Sequence, residues 1–194
     1  LGPSIIQNKR GDDPTFLNTA WTMQVIRAIG LWFISFLIAW PIATFYKEPQ
    51  LLWLIPIVGA VSFIDGFQST ATATLSRHLA IGKLTIFEFV LQLFSTAVML
   101  LWAWFHPSVV ALVVGNIAQA VVRTVWSHRL VPGQSNRFAW ERESVKEIFS
   151  FGKWIFFSTM MTFLASQADK LILGKLFTFT LLGVYNIAFT LADI

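Results

Sequence analysis

The sequence predicts an all-α protein, a polytopic transmembrane helical bundle, on three observations. Only 12% of its 194 residues are charged, against about 25% in a soluble domain. Five apolar stretches reach or approach the roughly 20 residues that a helix needs to cross a hydrocarbon core of about 30 Å. Lys and Arg collect in alternate connectors, as they do when one set of loops is cytoplasmic. Nineteen Phe and nine Trp in a chain that is 56% hydrophobic exclude disorder, because there is ample apolar surface to bury. With no Cys, a disulfide framework, a thiolate metal site and a cysteine nucleophile are excluded within these residues. The pI near 9.7 does not point to nucleic acid, since the basic residues are dispersed through short loops instead of gathered on a polar domain.

The expected spans are Met23 to Phe45, Leu51 to Thr74, Leu84 to Phe105, Ser108 to Trp126 and Lys153 to Leu173, with a sixth beginning near Thr180. The Asp12-Asp13-Pro14 triplet ahead of the first reads as a helix start, with Pro at the first helical position. Tyr46-Lys47-Glu48-Pro49, Ser76-Arg77-His78 through Gly82-Lys83, and His106-Pro107 supply turn chemistry, and such short connectors make neighbouring helices antiparallel. One set of connectors and flanks holds Lys9, Arg10, Arg27, Arg77, Lys83, Arg123, Arg129, Arg137, Arg142, Lys146 and Lys153; the other holds Lys47, Lys170 and Lys175. Leu1 to Thr22 and the 127–152 segment are therefore expected on the cytoplasmic side. Trp21, Trp40, Trp53, Trp102, Trp104, Trp126 and Trp154 near helix ends agree with an aromatic belt. The longest polar stretch, Ser127 to Ser150, ends in a segment whose Val145, Ile148 and Phe149 share one face, predicting a separate helix at the membrane surface. Leu1 and Ile194 both lie in apolar sequence, and the chain is expected to be an internal piece of a longer protein.

Polar side chains inside spans are costly and face a bundle interior or a wet cavity. Asp65, Gln68, Ser69 and Thr72 fall at one-face helical spacing in the second span; Thr85, Glu88, Gln92, Ser95 and Thr96 do so in the third. Asn116, Gln119 and Arg123 follow in the fourth, and Ser158, Thr162, Ser166 and Asp169 or Lys170 in the fifth. For the Ser and Thr residues, helix-to-helix packing is the simpler explanation. Asp65 and Glu88 with their amides are expected to line a water-accessible path, because packing contacts seldom need ionisable groups. Arg27, Arg77, Lys83 and Arg123 lie near cytoplasmic ends, where they either snorkel to the interface or form a basic vestibule for an anionic headgroup. Catalytic signatures are absent: His78, His106 and His128 sit in three connectors, and there is no phosphate-binding Gly-rich loop or nucleophile triad. No cofactor, no metal and no enzymatic activity are expected.

Ile5-Ile6-Gln7-Asn8-Lys9, Phe151-Gly152-Lys153-Trp154, Asp169-Lys170-Leu171-Ile172-Leu173-Gly174-Lys175 and Leu182-Gly183-Val184-Tyr185-Asn186-Ile187-Ala188 resemble the lipid-linked oligosaccharide flippases of the polysaccharide transporter family, within the multidrug and oligosaccharidyl-lipid exporter superfamily. The resemblance implies two lobes of six or more helices, with residues 1–126 an incomplete first lobe, 127–152 the cytoplasmic linker and 153–194 the start of the second lobe. It implies translocation of an undecaprenyl-diphosphate-linked oligosaccharide across the bacterial inner membrane by alternating access. Membrane lipids, polymerase and export proteins of the same pathway are the other implied partners. On this reading Arg27, Arg77 and Arg123 attract the diphosphate, while Asp65, Gln68, Glu88, Asn116, Gln119 and Asp169 line a polar cavity or hold a coupling ion. The alternatives are a cation-coupled multidrug exporter, a membrane-embedded glycosyltransferase or polymerase of the same pathway, and a structural membrane partner.

Overall fold

The computed structural model describes residues 2–176 together with 183, 185 and 187–189. Its helices are α1 (Gly2–Gln7), α2 (Pro14–Tyr46), α3 (Leu51–Gly66), α4 (Ala71–Arg77), α5 (Ile81–Phe105), α6 (Val110–Ser127) and α7 (Arg142–Leu176), and the described residues contain no strand. Four helices are long and apolar enough to cross a membrane, or five if α3 and α4 count as one bent span. The chain is thus an all-helical, multi-pass membrane protein.

Helix α2 starts where the Asp-Asp-Pro signal places it. Asp13 is the N-cap, accepting from the Thr15 amide at 2.9 Å, and Pro14 takes the first helical position. The helix therefore begins nine residues ahead of the expected apolar span at Met23. It ends at Lys47, whose left-handed φ of 57° turns the chain into α3. Laterally α2 packs on α3, α3 on α6, and α6 on α5. Small residues allow the close approach: a Cβ on Gly66 would collide with the Ala28 side chain of α2. The outward faces carry large exposed apolar residues such as Leu37, Leu101 and Trp104, as lipid contact requires.

Two expectations are corrected. The Leu51 to Thr74 span is broken: α3 stops at Gly66 and α4 leaves at 64°. Asp65, Gln68, Ser69 and Thr72 consequently do not share one helix face, since Gln68 and Ser69 lie in the break. Gly66, Ser69 and Thr70 are weak helix formers, and donors from neighbouring helices bond the carbonyls at the break. The surface helix is likewise not separate, because α7 runs unbroken from Arg142 through the expected Lys153 to Leu173 span. Gly152 at the junction costs about 1 kcal/mol, and no proline stops the helix there. Its first turns face protein: Ile148 is buried with Ile5, Phe16, Leu17, Ala20 and Ala73, while Phe149 is exposed. Of the expected sixth span near Thr180, residues 183, 185 and 187–189 are described and helical; its start and the side chain of Asp169 lie outside the described residues.

Candidate functional site

The site begins at the break between α3 and α4. A broken helix inside a membrane frees backbone carbonyls that lipid cannot satisfy. Here Gln24 of α2 places Nε2 at 3.5, 3.2 and 3.1 Å from the carbonyls of Asp65, Gly66 and Gln68. Trp21 Nε1 and His128 Nε2 donate to the Phe67 carbonyl, and Thr124 Oγ1 donates to that of Ile64. Ser69 Oγ donates to Asn136 Oδ1 at 2.6 Å, and the Ser69 amide donates to Ser127 Oγ at 2.9 Å. The break is therefore a held geometry, positioned by α2 and α6.

Beside it stands a cluster of three charged side chains from three helices. Arg123 Nη2 of α6 donates to Glu88 Oε2 of α5 at 2.6 Å. Asp65, at the end of α3, interacts electrostatically with both. The pairing is incomplete: Asp65 Oδ1 and Arg123 Nε are buried without a hydrogen-bond partner. With both carboxylates ionised the cluster carries one surplus negative charge. Glu88 opens to the surface, at 44% side-chain exposure against 26% for Arg123, into a groove it shares with Leu84, Thr85, Phe89 and Gln92. Asn116 is also exposed and Gln119 half-buried on α6. An apolar bundle thus presents a polar face with an unsatisfied charge cluster at one end.

The other basic candidates sit elsewhere. Arg27 is exposed on α2 and has no hydrogen-bond or ion-pair partner among the described residues. Arg77 closes the α1 end of the molecule: Nε donates to Asp12 at 2.9 Å, and Nη1 donates to the carbonyls of Ile5, Ile6 and Asn8. A Cβ at Gly11 would strike both the Ile5 carbonyl and the Arg77 guanidinium, so this closure needs glycine there. Asp65, Glu88 and Arg123 are brought together, then, with Gln68 in the adjacent break, while Arg27 and Arg77 are not part of the cluster.

Sequence reasoning missed Gln24, Thr124 and the hub at Arg10. Arg10 Nη2 reaches Asp13 and Glu141 at 2.7 Å each, and Nη1 lies 3.8 Å from Glu147 and 3.9 Å from Glu143. Asn8 adds a bond to Glu147 at 2.7 Å. The Arg10 hydrogen bond and the cap amide of Thr15 hold the Asp13 carboxyl below its ordinary value. Ser144 first, then Arg10, do the same for Glu141, and the Arg10 guanidinium is pushed up in return. Burial raises Asp12, but hydrogen bonds from Arg77 and His78 outweigh it and its carboxyl ends low. The only advance signal for this hub was composition, since Arg10 and Glu141 are 131 residues apart. The described residues hold no group of three His, Cys, Asp or Glu able to ligate a metal.

The family model described as polysaccharide biosynthesis protein matches residues 1–194. Among curated proteins, the chain is 22% identical to the teichuronic acid biosynthesis protein TuaB of Bacillus subtilis (strain 168), over all of this chain and 40% of that protein. It is 27% identical to the amylovoran biosynthesis protein AmsL of Erwinia amylovora, over 88% of this chain and 45% of that one. The chain thus spans less than half the length of these relatives. No solved structure matches it.

Proposed function

Because the chain belongs to the polysaccharide biosynthesis protein family, we propose that its protein moves an undecaprenyl-diphosphate-linked oligosaccharide from the inner to the outer leaflet of the bacterial inner membrane by alternating access, without being an enzyme. The observation that carries the reading is the Asp65, Glu88 and Arg123 cluster, opening onto a polar face inside an apolar bundle. Arg123 is partly exposed and uses one donor on Glu88, so a diphosphate can compete with that carboxylate for the accessible part of its guanidinium. Arg27, free and exposed, is read as a second cation at the cytoplasmic end. The exposed amides of Gln92 and Asn116 suit sugar hydroxyls, and the surplus carboxylate, Asp65, suits a proton or a small coupling cation. TuaB and AmsL are named for two different polysaccharides, so the transported class carries over and the sugar does not. Residues 1–126 and 153–194 are read as parts of two lobes, and polymerase and export proteins of the pathway as partners.

The test is leaflet accessibility of a fluorescent undecaprenyl-diphosphate sugar in proteoliposomes carrying the full-length protein, with and without an ion gradient. Protein-dependent movement that falls at least tenfold in Arg123→Gln supports the reading. Movement unchanged by Arg123→Gln, or none while the reconstituted protein is folded, overturns it.

A further inference from the structure

The segment between α6 and α7 is a strap. The amides of Arg137, Ala139 and Glu141 donate to Asn18 Oδ1, Thr22 Oγ1 and Thr19 Oγ1 of α2, at 2.9, 3.0 and 3.3 Å. Alternate amides bonded to one partner mark an extended chain, in which alternate side chains share a face. Phe138 and Trp140 therefore stand together, 68% and 60% exposed. Phe138 leans on Trp21, their ring centroids 4.8 Å apart. Trp21 in turn donates to the Phe67 carbonyl in the α3–α4 break. The strap thus docks at the end of the bundle where the apolar helices give way to polar, charged sequence, the level at which headgroups are expected.

Charge around the strap is segregated. Asp12 is paired with Arg77 and His78, and Asp13, Glu141 and Glu147 gather on Arg10, with Glu143 at its edge. Arg129, Arg137, Arg142 and Lys146 are all exposed, and none has an ion-pair partner among the described residues. The acids are spent internally, and the surface beside the aromatic pair is left basic. Exposed aromatics with unpaired cations at headgroup depth are the combination that grips an anionic lipid surface.

We propose that the strap is an interfacial anchor: Phe138 and Trp140 enter the headgroup layer, and Arg129, Arg137, Arg142 and Lys146 bind anionic phospholipid headgroups. This inference does not rest on the flippase reading and stands or falls apart from it. The test uses the full-length protein, cysteine-free elsewhere, with Trp140→Cys carrying a nitrobenzoxadiazole fluorophore. It is reconstituted in phosphatidylcholine vesicles with and without phosphatidylglycerol. Spin-labelled phosphatidylglycerol is expected to quench the label more strongly than spin-labelled phosphatidylcholine. That preference should fall with each cation changed to Gln and approach equal quenching by the two lipids in the quadruple variant. Arg137→Gln and Arg142→Gln alone give the first steps if the quadruple variant is poorly expressed. Quenching by aqueous iodide and not by lipid places the strap in water and overturns the proposal. Protection from both quenchers places it under protein and overturns it too, as does equal quenching by the two spin-labelled lipids.

Discussion

Arg10 and Arg123 are two guanidiniums treated in opposite ways. Around Arg10, at the water end, four carboxylates compete for one cation and the adjoining Asn8 and Ser144 close the remaining valences. Around Arg123, among apolar helices, one carboxylate is bonded, a second is near but unbonded, and a donor is left over. Exposed ion pairs contribute little singly but more as a network of good geometry. Pairs removed from water are expensive to leave incomplete. The cheap location is saturated and the expensive one is not, which is the opposite of what stability alone would arrange. The first cluster holds chain segments together, and the second is where the proposed transport role would place a ligand or coupling ion.

The largest effect expected is at the joint beside the second cluster. Gln24→Leu removes the donor shared by three carbonyls, and at about 1 to 3 kcal/mol for each buried group left unsatisfied it should destabilise the protein by roughly 3 kcal/mol, read by thermal unfolding in detergent. Next, Arg123→Leu should lower stability by about 1 to 2 kcal/mol, less than a fully buried pair because Glu88 is partly exposed. Adding Glu88→Leu should restore stability without restoring lipid-linked sugar movement. Recovery of both would make the pair structural and erase the contrast drawn above. A milder perturbation separates the clusters by pH. Asp12, Asp13 and Glu141 are held below their ordinary values of 3.8, 3.8 and 4.5. Their contribution is therefore complete above about pH 5 and is lost as pH falls through the lowered values. Hydrogen exchange in residues 8–13 and 137–147 should rise below about pH 4. The smallest effect on stability is expected for Arg27→Gln, within about 0.5 kcal/mol for an exposed, unpartnered side chain, accompanied by slower transport in the leaflet assay. Unchanged transport would leave Arg27 a snorkelling residue.

Much of this was legible in the sequence. Apolar run length located α5 and α6 to within a few residues, and Asp12-Asp13-Pro14 marked the start of α2, because both signals act locally. Arg123 and Glu88 were picked out as ionisable groups in apolar runs, though nothing in their 35-residue separation said that they meet. The α3–α4 break escaped periodicity because Asp65, Gln68, Ser69 and Thr72 keep helical spacing through it. What breaks the helix is the offer of partners from Gln24, Thr124 and Ser127 on other helices. The surface helix was misplaced for the converse reason. Its apolar face was read correctly at Ile148, but the surface covering it is protein from α1, α2 and α4, not membrane. Ser158, Thr162 and Ser166 give the simplest case: they are exposed, and Thr162 and Ser166 bond back to carbonyls of their own helix.

The continuity of α7 has a mechanical consequence. Its foot is seated at Ile148 in the core formed with α1, α2 and α4, and it continues without interruption to Leu176, a rod of about 42 Å at 1.5 Å per residue. Tilting such a rod by about 10° about its foot sweeps its far end through about 7 Å. The same lever acts in reverse. A small displacement of the Arg10 hub, on the scale of one ion pair exchanged, is magnified several times across the membrane.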